Sequence, residues 1–368
     1  MKNNKDIISI FSTDWGHKSI GEAVEDALKS NYHTNLNYIR SEQIGFKSYQ
    51  VIYQLFPNIS KIPFKVSEND QISRVVKKYV YAYYFKKVEK LIKEQKPKFV
   101  VSVYFGFTLA LEKLSKKYGF KLINIVSDPR TFHKLSLSYK TYNLVFDKKS
   151  IKRCKNLNIN SKFYIQSGWF VRSEFQKTIS KESVKISLGI NPKLFTICVI
   201  GGSEGSLNIL KILPAFLSKD KKIQVIIICG NNKKLYNSLD SLLKIISKDN
   251  TRKTKFIIKG FIKNTHKYLQ ASDLIIGKAG PNLLFESVAV ETPFFAISHI
   301  SGQEDGNLEI IKEYKIGLVE ENATKAIEIT KNIINNPKIL DRYSKNIKKL
   351  ALYNRNSYSV LKKLISTI

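Results

Sequence analysis

His17 lies just past the apolar run 7–11, in the stretch Ser12-Thr13-Asp14-Trp15-Gly16-His17. An imidazole titrates near neutrality, so a histidine held between a strand and a helix can act as a general base. A lone histidine capping a helix is the plainer reading. Asp128, in Ser127-Asp128-Pro129-Arg130-Thr131-Phe132-His133, offers a second acid–base group. Mid-chain, Gly201-Gly202-Ser203-Glu204-Gly205 follows an apolar run and precedes a helical pattern. Glycines there let the backbone approach a phosphate, and a helix N-terminus adds N–H groups and positive dipole. A tight turn would use the same residues. The sequence has neither the G-x-G-x-x-G nor the G-x-x-x-x-G-K-[ST] phosphate motif.

Two further clusters follow. Lys278-Ala279-Gly280-Pro281-Asn282 makes a turn, and Glu286 stands a little further into the next helical pattern. Its carboxylate can accept hydrogen bonds from a ribose diol, or it is an exposed helix carboxylate. Ser301-Gly302-Gln303-Glu304-Asp305-Gly306-Asn307 packs amides and carboxylates into one loop. Sugar hydroxyls need such paired donors and acceptors. An acid-enriched helix start is the alternative.

These groups need a frame, and the periodicity supplies one. Strand-like runs at 6–11, 35–39, 99–103, 122–126 and 144–146 alternate with helical stretches. The pattern repeats with strands at 195–200, 224–229, 255–258, 274–276, 294–297 and 317–319. Helices are expected at 20–28, 207–217, 235–246, 265–269, 283–290 and 308–313. Strands alternating with helices predict an α/β chain with parallel sheets covered on both faces. Each cluster then falls at the carboxyl end of a strand, where doubly wound sheets bind ligands. The polar stretch 173–191 reads as a linker, and 337–368 as basic helix.

Composition narrows the class. A length of 368 residues suggests two domains. Three cysteines without C-x-x-C spacing exclude a disulfide scaffold and argue against a zinc site. No run approaches the 18 or more apolar residues of a membrane span, and the N-terminus does not read as a signal peptide. A cytoplasmic protein, soluble or peripheral on a membrane, is expected. The net charge of +32 attracts phosphate-bearing partners, or it reflects a lysine-rich composition. A nucleic-acid binder would also be basic, but zinc-finger, leucine-zipper and RNP-like patterns are missing.

Taken together, the Gly-His turn, Gly-Gly-Ser-Glu-Gly, Ala-Ser-Asp-Leu-Ile-Ile-Gly-Lys-Ala-Gly-Pro and Gly-Gln-Glu-Asp-Gly-Asn resemble one family. It is that of the monogalactosyldiacylglycerol synthases and diacylglycerol glucosyltransferases. More distantly the chain is similar to the peptidoglycan enzyme that adds N-acetylglucosamine to lipid I. The resemblance covers roughly 6–319 and is strongest over 256–318. It implies a GT-B fold, two Rossmann-like doubly wound domains facing a cleft, with boundaries at 1–175 and 190–335. A helical tail, 336–368, would pack back on the N-terminal domain. It also implies inverting, metal-independent transfer of a hexose from a UDP-sugar to a lipid acceptor, with no cofactor. The lack of an Asp-x-Asp motif is compatible with that. An epimerase acting on UDP-N-acetylglucosamine could use the same fold.

By that resemblance Glu286 would hold the ribose. Gly201, Gly202, Ser203, Glu204 and Gly205 would lie on the diphosphate side, with Lys278, Ala279, Gly280 and Pro281. Gln303 and Glu304 would meet the sugar, and Asn307 would complete the donor site. His17 would sit near the reacting centre as base, with Asp128 second. The chain departs from the family at Asp14 and Trp15, where extra glycines are usual. It also departs at Gly280-Pro281-Asn282-Leu283, where Gly-Pro-Gly-Thr is typical, and after Asp128, where a downstream Trp is missing. A lipid acceptor further implies contact with an anionic membrane surface on its cytoplasmic side, and no nucleic acid. Stretch 74–93 suits that contact: Val80, Tyr84, Val88 and Leu91 share one helical face, with Lys86, Lys90 and Lys93 opposite and Lys87 nearby. Such a helix can lie among headgroups, or it can simply cover the N-terminal sheet with its lysines in water.

Overall fold

The computed structural model describes residues 5–14, 16–40, 70–177, 179–202, 207–218, 220–249, 251 and 253–368. Trp15, Ser203, Glu204 and Gly205 therefore lie outside the described residues. The chain divides into two compact units: Met1–Ser173 with Ile300–Gly306 and Tyr353–Ile368, and Glu174–His299 with Asn307–Leu352.

The first unit runs β1 (Ile7–Ser12), α1 (Gly16–Leu28), β2 (His33–Tyr38), α2 (Asp70–Gln95), β3 (Phe99–Ser102), α3 (Phe105–Tyr118), β4 (Lys121–Ile125), β5 (Tyr142–Val145), α4 (Lys148–Asn156) and β6 (Tyr164–Gln166). Its sheet is parallel throughout, in the order β2-β1-β3-β4-β5-β6. The inner strands β1 and β3 are largely apolar and buried because helices cover the sheet, whereas the edge strand β2 is polar and half-exposed. β6 was not among the expected strands; three half-buried residues are too few for periodicity to show.

The apolar face of α2 is taken up by the core. Tyr84 and Val88 are fully buried with Phe11, Val100, Phe107 and Leu111, and Val80 and Leu91 pack against the same cluster. Of the two readings of this helix, packing on the protein core is therefore the one observed for its apolar face. Tyr81 is occupied too, with the Phe85 ring at 4.9 Å and Lys113 Nζ at 4.0 Å. Lys86, Lys87 and Lys90 remain exposed.

The second unit holds α5 (Lys181–Ser187), β7 (Phe195–Ile200), α6 (Asn208–Ile212), β8 (Ile223–Ile228), α7 (Lys233–Ser247), β9 (Lys255–Lys259), α8 (Thr265–Gln270), β10 (Leu274–Lys278), α9 (Pro281–Ala289), β11 (Phe294–Ser298), most of α10 (Asp305–Glu313), β12 (Gly317–Val319) and α11 (Ala323–Asn335). Its parallel order is β12-β11-β10-β7-β8-β9. The expected linker 173–191 contains α5, capped by Ser180 and pinned by Lys185, whose Nζ donates to Leu194 O at 2.9 Å and Asp273 at 3.0 Å. The expected helix 207–217 is only the short α6 and a following 3₁₀ turn, because Pro214 brings no N–H to continue the ladder.

The tail is α12 (Asp341–Arg355) and α13 (Ser357–Thr367). Its residues from Tyr353 onward belong to the first unit. There the Tyr353 hydroxyl donates to Phe146 O, Asn354 Oδ1 accepts from Trp169 N at 3.0 Å, and the Tyr358 hydroxyl donates to Val171 O at 2.8 Å.

Candidate functional site

Both sheets have a switch point, where successive strands run off in opposite directions and leave a crevice at their carboxyl ends. In the first unit it lies between β1 and β3. His17 is the second residue of α1, placed there by the turn after β1. Its Nδ1 lies 2.8 Å from Val103 O, just past the end of β3. A carbonyl only accepts, so Nδ1 carries the proton and Nε2 keeps a lone pair. The Ser12 hydroxyl donates to His17 O at 2.8 Å, and the Tyr104 ring packs edge-on against the imidazole at 4.9 Å. Burial pushes the His17 pKa down from 6.5 to about 4, while the Val103 hydrogen bond pulls the other way. The ring is neutral at pH 7 with its acceptor nitrogen ready.

Asp128 follows β4 and is half-buried. Its Oδ1 accepts from Gln303 Nε2 at 3.2 Å, so the first unit brings these two expected site residues together. Thr131 fixes the pairing: its hydroxyl donates to Gln303 O and accepts from Gly306 N at 3.3 Å. Behind this loop Arg130 is paired with Asp147 at 3.0 and 2.6 Å, both side chains buried. Asp147 also caps α4 through Ser150 N at 2.9 Å. In the sequence Arg130 stands out only as a neighbour of Asp128, and Asp147 not at all, since nothing local links residues 17 positions apart. Glu304 is 4% exposed, and its carboxylate accepts from Ile300 N at 2.7 Å. It braces its own loop.

In the second unit the switch point lies between β7 and β10. Gly201 and Gly202 end β7, and Gly202 has φ +77°, a left-handed conformation that suits glycine. Beside them β10 ends in a register shift at Gly277/Lys278. The Ala279 peptide is clamped on both sides: its N–H donates to Ser298 O at 2.8 Å, and its carbonyl accepts from Asn307 Nδ2 at 2.7 Å. Gly280 N-caps α9 and Pro281 occupies its first turn, where a missing N–H costs nothing. N–H groups of that turn have no intrahelical acceptor. Glu286 sits on α9 at 9% exposure.

A carboxylate–imidazole pair was also missed. His299 Nδ1 lies 2.7 Å from Glu321 Oε1, where β11 and β12 end. Only parallel pairing of those strands brings the two residues together. The three cysteines are buried thiols, with pKa pushed up to about 12 for Cys154 and Cys198 and about 11 for Cys229. A cavity of about 640 Å³ in the first unit, lined by Asp6, Lys98, Tyr118 and Lys121, opens at the opposite end of the sheet from His17.

Two parallel α/β units with switch points of this kind define the GT-B architecture. Residues 196–329 match the glycosyltransferase family 28 C-terminal domain. Over 371 aligned residues the chain is 25% identical to monogalactosyldiacylglycerol synthase 3, chloroplastic, of Arabidopsis thaliana, covering 94% of this chain and 77% of that one. It is 23% identical to a processive diacylglycerol beta-glucosyltransferase of Staphylococcus aureus, covering 91% and 85%. Among solved structures, Acinetobacter baumannii MurG superposes with a TM-score of 0.62 at 13% identity, covering 99% of this chain and 100% of that one. A UDP-GlcNAc 2-epimerase from Neisseria meningitidis superposes at 0.64 with 14% identity, covering 98% and 100%. The chain is a glycosyltransferase with a family 28 C-terminal domain, homologous to diacylglycerol glycosyltransferases. Among the described residues no helix is long and apolar enough to cross a membrane.

Proposed function

We propose that the protein transfers a hexose from a UDP-sugar to the hydroxyl of a membrane lipid, diacylglycerol or a glycolipid, with inversion and without a metal ion. The observation that carries this reading is His17, with Nδ1 tied to Val103 O and Nε2 left as an acceptor at the first switch point. The acceptor oxygen attacks the anomeric carbon, the bond from that carbon to the diphosphate breaks, and the hydroxyl proton passes to His17 Nε2. Asp128 is the second choice of base. Backbone N–H groups after β7 and in the first turn of α9 stabilise the departing UDP. Glu286 holds the ribose, and Gln303 orients the sugar. Lys86, Lys87 and Lys90 bring the enzyme to the anionic cytoplasmic face of the membrane by charge alone, since the apolar face of α2 is spent on the core.

The test is incubation with radiolabelled nucleotide sugars and extracted membrane lipids, with and without EDTA. Label in a lipid, undiminished by EDTA, is expected. Conversion of the UDP-sugar with no acceptor present would instead make the protein an epimerase. Loss of activity in EDTA would overturn the metal-free route.

A further inference from the structure

Tyr104, which packs on His17, is itself held from all sides. It is 2% exposed, with the rings of Phe105, Phe107 and Tyr84 at 4.7, 5.2 and 6.1 Å. The remaining side is Gly106, the second residue of α3. A glycine inside a helix costs about 0.5–1 kcal/mol relative to alanine. Gly106 is not among the residues with positive φ, so backbone freedom does not explain it. Space does. A Cβ at 106 would stand 2.4 Å from Tyr104 Cε1 and 3.0 Å from both Tyr104 Cδ1 and Tyr84 Cε2. Carbon atoms pack at about 3.5–4.0 Å, so the Tyr104 ring would have to move. Its neighbours on the other sides are aromatic rings and the imidazole.

We infer that Gly106 and Tyr104 are positioning residues for His17: the bare Cα of Gly106 lets the Tyr104 ring lie where it presses the imidazole onto the Val103 carbonyl. The catalytic consequence rests on His17 being the base. The physical consequence does not, because a displaced ring exposes more of the half-buried imidazole to water. The titratable groups on the surrounding elements are Asp14 in the turn, Lys18 and Glu22 on α1 (3.9 Å apart), Tyr84 on α2 and Tyr104 itself.

The experiment uses the full chain. His17 is titrated by NMR, turnover is measured with the labelled-lipid assay, and UDP affinity is measured by calorimetry. Gly106→Ala is expected to lower turnover at least tenfold and leave UDP affinity unchanged. It should also move the His17 titration from about 4 toward 6.5. Tyr104→Phe keeps the ring and should match wild type. Tyr104→Leu removes the buttress without overpacking, and carries the same expectation if Gly106→Ala does not fold. In the Tyr104→Leu background, Gly106→Ala should cost much less, since the ring at 2.4 Å is gone and only Tyr84 Cε2 at 3.0 Å remains close. Wild-type titration in both Gly106→Ala and Tyr104→Leu overturns the inference. So does an undiminished Gly106→Ala loss in the Tyr104→Leu background. If His17→Ala leaves turnover intact, the base assignment fails, and the NMR titration alone then decides whether Gly106 and Tyr104 position the ring.

Discussion

In the proposed reaction the two switch points solve different chemical problems with different materials. In the first unit the crevice end of the sheet presents a side chain, His17, whose tautomer is set by the Val103 carbonyl just past the end of β3. In the second it presents backbone, the Gly201–Gly202 turn and the clamped Ala279 peptide leading into α9. A proton acceptor must be one atom with a tuned pKa, so it needs burial and a partner. An anion cradle needs several N–H groups at close approach, which a turn and a helix start supply from residues adjacent in the chain, although Ser298 and Asn307 hold the Ala279 peptide in place. The comparison teaches that a backbone site draws its N–H groups from neighbours in the chain and needs tertiary contacts only to brace them, whereas a tuned side chain takes its burial and its hydrogen-bond partner from distant residues.

The largest expected effect tests the side-chain half. His17→Ala should lower turnover about 10²–10⁴-fold, with UDP affinity unchanged by calorimetry. If turnover barely moves while Asp128→Asn abolishes it, the two roles are reversed. The pH dependence sharpens the same point. The folded pKa of His17 lies below its unfolded value, so the unfolded chain binds the extra proton first. The stability this group contributes is complete above about pH 6.5 and is lost as pH falls toward about 4. The acid limb of kcat/KM should accordingly fall near 4 rather than 6.5.

The next effect probes what supports that half. Arg130→Ala leaves the Asp147 carboxylate buried and unpaired by its present partner. Breaking such a pair typically costs about 3–5 kcal/mol. Urea unfolding should show the loss, while UDP affinity of the folded fraction holds. Equal loss of UDP affinity would break the separation between the two halves. Glu286→Ala comes next: losing a charged hydrogen bond costs about 1.5–3 kcal/mol, roughly tenfold or more in UDP affinity, with His17 titrating as before. Equal UDP affinities would remove Glu286 from the site. The smallest effect concerns membrane contact. Replacing Lys86 or Lys90 by Gln should weaken binding to anionic vesicles by about 1 kcal/mol, roughly fivefold, and leave zwitterionic vesicles unaffected. Wild-type sedimentation of both would place the contact elsewhere.

How much could be read in advance follows the same division. All six strands of the second unit were legible, because each carries a short apolar run, from the buried inner strands to the half-buried edge strands β9 and β12. The Ala279–Pro281 turn was legible as well, since a glycine and a proline in that order already dictate it. The helix α5 was not, because Ser180 capping and the Lys185–Asp273 pair, distant in sequence, decide it more than its own polar residues do. The amphipathic pattern of α2 could be read, but not what its apolar face meets; burial of Tyr84 and Val88 assigned that face to the core. By itself the sequence determined the alternation of strands and helices, the turns at strand ends and the residue types placed there, because periodicity and turn chemistry act over a few positions. Only the tertiary structure decided that Val103 O accepts the His17 Nδ1 hydrogen bond, that Gln303 meets Asp128, and that Arg130 neutralises Asp147. Those contacts join residues 17 or more positions apart, and nothing local in the chain encodes the strand order that brings them together.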